Sequence, residues 1–249
     1  MDNQQRVTMM EVLADVLHKL VEANSRQNQT PAISKFHALR PPRISICDYL
    51  RRILRYGNCS GECFVLALVY IDRLIKHQNF VICRLNIHRV VMTSLTLAAK
   101  FFDDAFYNNA YYAKIGGIPV RELNSLEIEF LFLINFTLHV TPMDFFRYQT
   151  ELCEHARRSG DYPESALPHC DLPLEDLAIS ETDEELLSDT ETPRLFDAQF
   201  ETSSDGQDLP ISTHHTTGGI VTGARCVPQG KHALVEGGTK VSTADGKWT

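Results

Sequence analysis

Strand signals are almost absent from this 249-residue chain, which excludes a sheet-based fold. A glycine-rich phosphate loop, a nucleophile elbow and a cluster of metal-ligating side chains are missing too, so no catalytic centre and no cofactor are expected. No apolar run reaches about 18 residues, and the polar N-terminus lacks the apolar core of a signal peptide. A membrane span is therefore not expected, and cytosol or nucleus, with reduced thiols, is the predicted location. The seven cysteines (Cys47, Cys59, Cys63, Cys83, Cys153, Cys170 and Cys226) make an odd count. Only Cys59 and Cys63 are close, with no second pair at zinc-like spacing, and His214-His215 stand alone. No metal site is expected.

What is present divides the chain in two. The net charge of −8 hides a balance of +4 over residues 1–158 and −12 over residues 159–249. Three regions follow: an N-terminal helix and linker over 1–30, a folded body over 31–158, and a tail over 159–249. Within the tail, residues 161–208 hold 15 Asp+Glu against Arg194 alone, with few aromatics and many Ser, Thr and Pro. That composition predicts disorder.

The body reads as helices. Thr8-Met9-Met10-Glu11 has the form of a capping box ahead of a helix over 9–23, which either packs on the core or carries a contact of its own. A second helix is expected over 44–56, stopped by Gly57-Asn58, and a third over about 61–77 with Ser60 as its N-cap. The third is apolar on nearly every face and should be central. Further helices are predicted over about 86–102, 109–115, 119–135 (begun by Pro119) and from Thr141-Pro142 to about Arg158. The fold class is all-α.

Two charges stand out in this apolar body. Lys100 emerges within Leu97-Ala98-Ala99-Lys100-Phe101-Phe102-Asp103-Asp104, and Glu127 within Leu126-Glu127-Ile128-Glu129-Phe130-Leu131. Long charged side chains in such company need a partner or an edge. Presented from neighbouring helices, they point to a docking surface for another protein. Glu129 competes with Glu127 for that place, and Lys100 has the alternative of neutralising its own helix C-terminus. Asp103-Asp104 reads as a helix-end flank and not as a catalytic pair.

Tyr70-Ile71-Asp72-Arg73-Leu74, the segment around Lys100, and Asn124-Ser125-Leu126-Glu127 with Phe130-Leu131 and Asn135-Phe136 together resemble the second, third and fifth helices of a cyclin box. With Ser45-Ile46-Cys47-Asp48-Tyr49-Leu50, the resemblance is nearest to the single-box PHO80-like group, the P- or U-type cyclins, and covers roughly residues 31–155. It implies a five-helix box with an extra N-terminal helix, and a non-catalytic regulatory subunit that binds and activates a cyclin-dependent protein kinase in cell-cycle or nutrient signalling. It assigns Lys100 and Glu127 to the kinase's mobile regulatory helix. It also implies a structural ion pair between Arg43 and Asp72. Where mitotic-type cyclins carry an apolar groove for Arg-x-Leu peptides, this chain has Pro42, Ser45 and Ile46 around Tyr49, so that groove is expected to be altered or absent.

In the tail, Thr192-Pro193 is a minimal proline-directed phosphorylation site, and Ser180, Thr182 and Ser188 have acids shortly after them. The alternative function is a cyclin-fold adaptor in transcription or nucleic-acid binding. Its requirement for clustered basic side chains is met only by Arg51, Arg52 and Arg55.

Overall fold

In the computed structural model, residues 1–27 and 32–169 are described, and among them there are seven α-helices and no strand. They are α1 (Asn3–Arg26), α2 (Ile46–Tyr56), α3 (Glu62–Gln78), α4 (Ile87–Phe102), α5 (Asn109–Gly116), α6 (Val120–Leu133) and α7 (Pro142–Ser159), followed by a 3-10 turn at Glu164–Ala166. Helices α2 to α6 are the five expected of the box.

The centre is the pair α3 and α4. Phe64, Val65, Leu68, Tyr70 and Ile71 of α3 are buried on all sides, and Ala98 and Ala99 of α4 have lost nearly all their exposure. Small residues there let the two backbones approach closely. The other helices surround this pair, α1 and α7 closing the side opposite α5 and α6.

Local chemistry corrected several expected ends. Helix α1 begins at Asn3, where Asp2 and Gln5 form the capping box: the Asp2 carboxylate accepts from the Gln5 N–H at 2.8 Å, and the Gln5 side chain from the Asp2 N–H at 3.0 Å. Thr8 is therefore not a cap; it is buried mid-helix. Ser60 does not cap α3 either: Gly61 takes the cap position, and the Ser60 N–H donates to Asp103 at 2.9 Å. At the end of α2, Asn58 (φ 47°) adopts the left-handed turn, while Gly57 sits where an added Cβ would meet the Ile53 carbonyl at 2.7 Å.

The first helix belongs to the core, with Met9, Met10, Leu13, Leu17 and Leu20 buried against α2, α3 and α7. Its Asp15 accepts from His155 of α7 and from Lys19, both at 2.7 Å. Burial drives the His155 pKa down. Burial also pushes Asp15 up, but the hydrogen bonds from Lys19 and His155 more than reverse this and leave its pKa lowered.

Ordered structure also passes the expected boundary at 158. After Gly160 (φ 72°) ends α7, the chain folds back along α1, burying Ala166 and Leu167, with Arg157 bound to Glu164 at 2.8 Å. The rest of the acidic tail lies outside the described residues, with Ser180, Thr182, Ser188, Thr192, Cys170, Cys226 and the His214-His215 pair. Among the described residues, no helix is long and apolar enough to cross a membrane.

Candidate partner-docking surface

Lys100 leaves the last turn of α4 toward the middle of α6, and its Nζ meets the Glu127 carboxylate at 2.5 Å. The pair is not alone. Asn109, in the first turn of α5, accepts from Lys100 Nζ at 3.2 Å through Oδ1, and its Nδ2 donates to Glu127 at 2.6 Å and to Asn124 at 2.9 Å. Three helices thus converge on one charged knot. The Lys100 and Glu127 side chains keep 31% and 13% of their exposure, so both are held in place and still reachable from outside.

Asn109 had escaped the sequence reading. Its neighbour Asn108 is the N-cap of α5, accepting from the Tyr111 N–H at 3.0 Å. The doubled asparagine is the one signal available: the first caps the helix, and the second is thrown toward the lysine. Glu129, the competing acid, is held by Lys35 at 2.8 Å on another face of α6.

Around the knot, apolar side chains are left uncovered. Phe101 and Phe102 follow Lys100, and Ile128 and Phe132 flank Glu127 on the outer face of α6; each is more than half exposed. Phe136 continues the patch, its ring edge-on to Phe132 at 5.1 Å between centroids. Exposed aromatic and aliphatic side chains beside a fixed ion pair make a surface that another protein could cover.

The ion pair between Arg43 and Asp72 is not formed. Asp72 is buried on α3, where Lys76, one turn on, binds its Oδ2 at 2.7 Å and the Tyr148 hydroxyl of α7 donates to the same oxygen. Burial, reinforced by the Asp72 charge, raises the Tyr148 pKa, so the phenol remains a donor. Arg43 precedes the Ser45 cap of α2 and points to solvent. With α7 delivering a hydroxyl and α3 its own lysine, no place remains at that oxygen. The other Asp72 oxygen has no partner among the described residues.

Asp103 is the C-cap residue of α4, and its carboxylate holds the start of α3 through the Ser60 N–H at 2.9 Å and the Cys63 thiol at 3.3 Å. Burial pushes the Cys59 thiol up to about 11 and raises the Cys63 thiol as well, and both side chains are packed in the core. No group of metal-binding size occurs among the described residues. The three arginines of α2 do not form one basic patch. Arg51 pairs with Asp48 at 2.8 Å, Arg52 donates to the Ile115 carbonyl, and Arg55 lies over the Tyr56 ring at 5.4 Å.

The family model described as Cyclin matches residues 3–138, from the first turn of α1 to the segment after α6. The chain belongs to the cyclin family. Cyclin-U4-1 of Arabidopsis thaliana is 47% identical to this cyclin over 141 residues, 55% of this chain and 70% of that relative. Cyclin-P4-1 of Oryza sativa subsp. japonica is 39% identical over 169 residues, 64% of this chain and 80% of its own length. The PHO85 cyclin-like protein psl1 of Schizosaccharomyces pombe is 41% identical over 127 residues, 50% of this chain and 52% of that protein. The aligned part thus spans between about half and four-fifths of these relatives. The U, P and PHO85 labels bear out the PHO80-like assignment, and the match from residue 3 takes in α1.

Proposed function

We propose that this cyclin is the regulatory subunit of a cyclin-dependent serine/threonine protein kinase and that it docks the kinase through Lys100, Glu127 and the aromatic patch beside them. The observation that carries the reading is the Lys100–Glu127–Asn109 knot, fixed by three helices and ringed by exposed Phe101, Phe102, Ile128 and Phe132. On contact, the ammonium donates to carbonyl groups at the end of the kinase's regulatory helix, and the carboxylate accepts from its N–H groups or a lysine. Held inward, that helix keeps the kinase's nucleotide-binding Lys–Glu pair formed. The cyclin shifts a conformational equilibrium and performs no chemistry itself. Cytosol or nucleus is its place of work, with no membrane or small-molecule substrate. Phosphorylation of Ser180, Thr182, Ser188 or Thr192 would add negative charge to the acidic tail.

A nucleic-acid adaptor is not favoured. The relatives are cyclins, and the arginines of α2 are occupied by Asp48, a backbone carbonyl and an aromatic ring.

The test is affinity purification from the source cell, comparing wild type with the Lys100→Glu/Glu127→Arg double variant. The exchange keeps an internal ion pair but reverses what each helix presents, so circular dichroism and thermal midpoint should hold. Wild type should retain an active cyclin-dependent kinase, and the double variant should lose it at least tenfold. Equal retention would remove Lys100 and Glu127 from the interface; no kinase with either protein would overturn the regulatory reading.

A further inference from the structure

Three depressions adjoin one another around the first turns of α2. The first, about 380 Å³, lies beside Tyr162 and is bounded by Glu11 and Asp15. The second shares Ser45 and Ile46 with it and is edged by Arg43 and Arg84. The third, about 490 Å³, shares Pro42, Ile44 and His88 with the second and is edged by Arg40, Arg52 and Arg89. The floor of the last two is apolar, made by Pro42, Ile44 and Tyr49.

The charges on this trough are unevenly satisfied. Arg89 is bound to Glu122 at 2.6 Å and Arg52 to a backbone carbonyl, while Glu22, the acid of the second depression, is held by His18 and Arg26. Arg40, Arg43 and Arg84 are exposed and form no ion pair among the described residues. Three guanidinium groups over an apolar floor fit an extended peptide that alternates carboxylates with aliphatic side chains, and repel a cationic one.

The chain carries such a peptide immediately beyond its described end. Residues 171–189 contain 8 acids and no Lys or Arg, with Leu172, Leu174, Leu177, Ile179, Leu186 and Leu187 among them. The chain passes close by before its described end: Tyr162 lines the first depression, and Leu167 is buried. From His169 to Asp189 an extended chain reaches roughly 70 Å, whereas the 11-residue helix around which the depressions lie is only about 16 Å long. We propose that residues 171–189 dock in cis in this trough, their carboxylates on Arg40, Arg43 and Arg84 and their leucines on the Pro42–Ile44–Tyr49 floor. The cyclin covers its own groove.

The test uses three full-length proteins and a fluorescein-labelled peptide of residues 171–190, read by fluorescence polarisation without any kinase, so that it is independent of docking at Lys100. The proteins are wild type, the neutralised-tail variant E175Q/D176N/E181Q/D183N/E184Q/E185Q, and that variant with R40E/R43E/R84E added. The neutralised-tail protein should bind the peptide, and wild type at least tenfold more weakly because its own segment occupies the site. The arginine substitutions should reduce binding at least tenfold, with R40Q/R43Q/R84Q as the substitute should the reversed charges disturb the helical circular dichroism. Equal binding to wild type and to the neutralised-tail protein would overturn the cis occupant, leaving a groove for acidic peptides of other proteins. Absence of binding to the neutralised-tail protein, or binding that survives loss of the arginines, would overturn the groove itself.

Discussion

Helices α3 and α6 read alike as apolar segments, yet their fates differ. Of the 17 residues of α3, 11 are buried, whereas α6 buries only Leu123, Leu126 and Phe130 of its 14. Ile128 and Phe132 of α6 remain in water although they are as apolar as anything in α3. Apolar content predicts that a segment will be helical and will want covering; it does not say by what. In α3 the cover is the chain itself, on every side. In α6 the inner stripe meets the core, and the outer stripe, next to Glu127, stays exposed.

The comparison can be broken most forcefully at the inner stripe of α6. Phe130 packs edge-on against Phe36 at 5.9 Å and is fully buried, so Phe130→Ala should cost about 3–5 kcal/mol. Urea denaturation measures this, and a cost below about 1 kcal/mol would mean that α6 does not share the core of α3. A smaller effect is expected inside α3's surroundings. Tyr148→Phe removes the hydroxyl that donates to buried Asp72 and should lower stability by about 1–3 kcal/mol. An unchanged thermal midpoint would show that Lys76 alone satisfies that carboxylate. The smallest change in stability belongs to the outer stripe. Phe132→Ala should stay within about 0.5 kcal/mol of wild type while reducing kinase retention in the same purification. A variant that unfolds, or that keeps the kinase in full, would remove Phe132 from the docking surface.

Much of the fold was legible because helices of this size carry their signals locally. Thr141 and its early proline, Ser45 before α2, and the apolar run of α3 all marked elements that are present. The misses share a cause. Thr8 has the form of a cap, but the polar first turn of α1 hides a better one at Asp2, and only packing on α2, α3 and α7 shows that Thr8 is interior. Ser60 is a good cap residue by type, but α3 starts one residue later at Gly61, with the Ser60 N–H held by Asp103, 43 residues away.

The candidate site divides in the same way. Lys100 and Glu127 were legible as misplaced charges, since an isolated ion in an apolar helix must find a partner. That they find each other, with Asn109 between them and Glu129 taken by Lys35, depends on three helices meeting at one point. Asp72 makes the same point from inside: its expected arginine is turned to solvent, and its hydroxyl donor comes from Tyr148, 76 residues later.

By itself, then, the sequence determined the all-α class, most of the helices, the charge division between body and tail, and the family to which the box belongs. Those properties rest on short-range periodicity, caps and composition, which act within a few turns of the chain. The tertiary structure alone decided which carboxylate meets Lys100, what stabilises Asp72, that α1 is core, and that Arg40, Arg43 and Arg84 edge adjoining depressions. Such pairings depend on distances between residues far apart in the chain, and those distances exist only once the helices have packed.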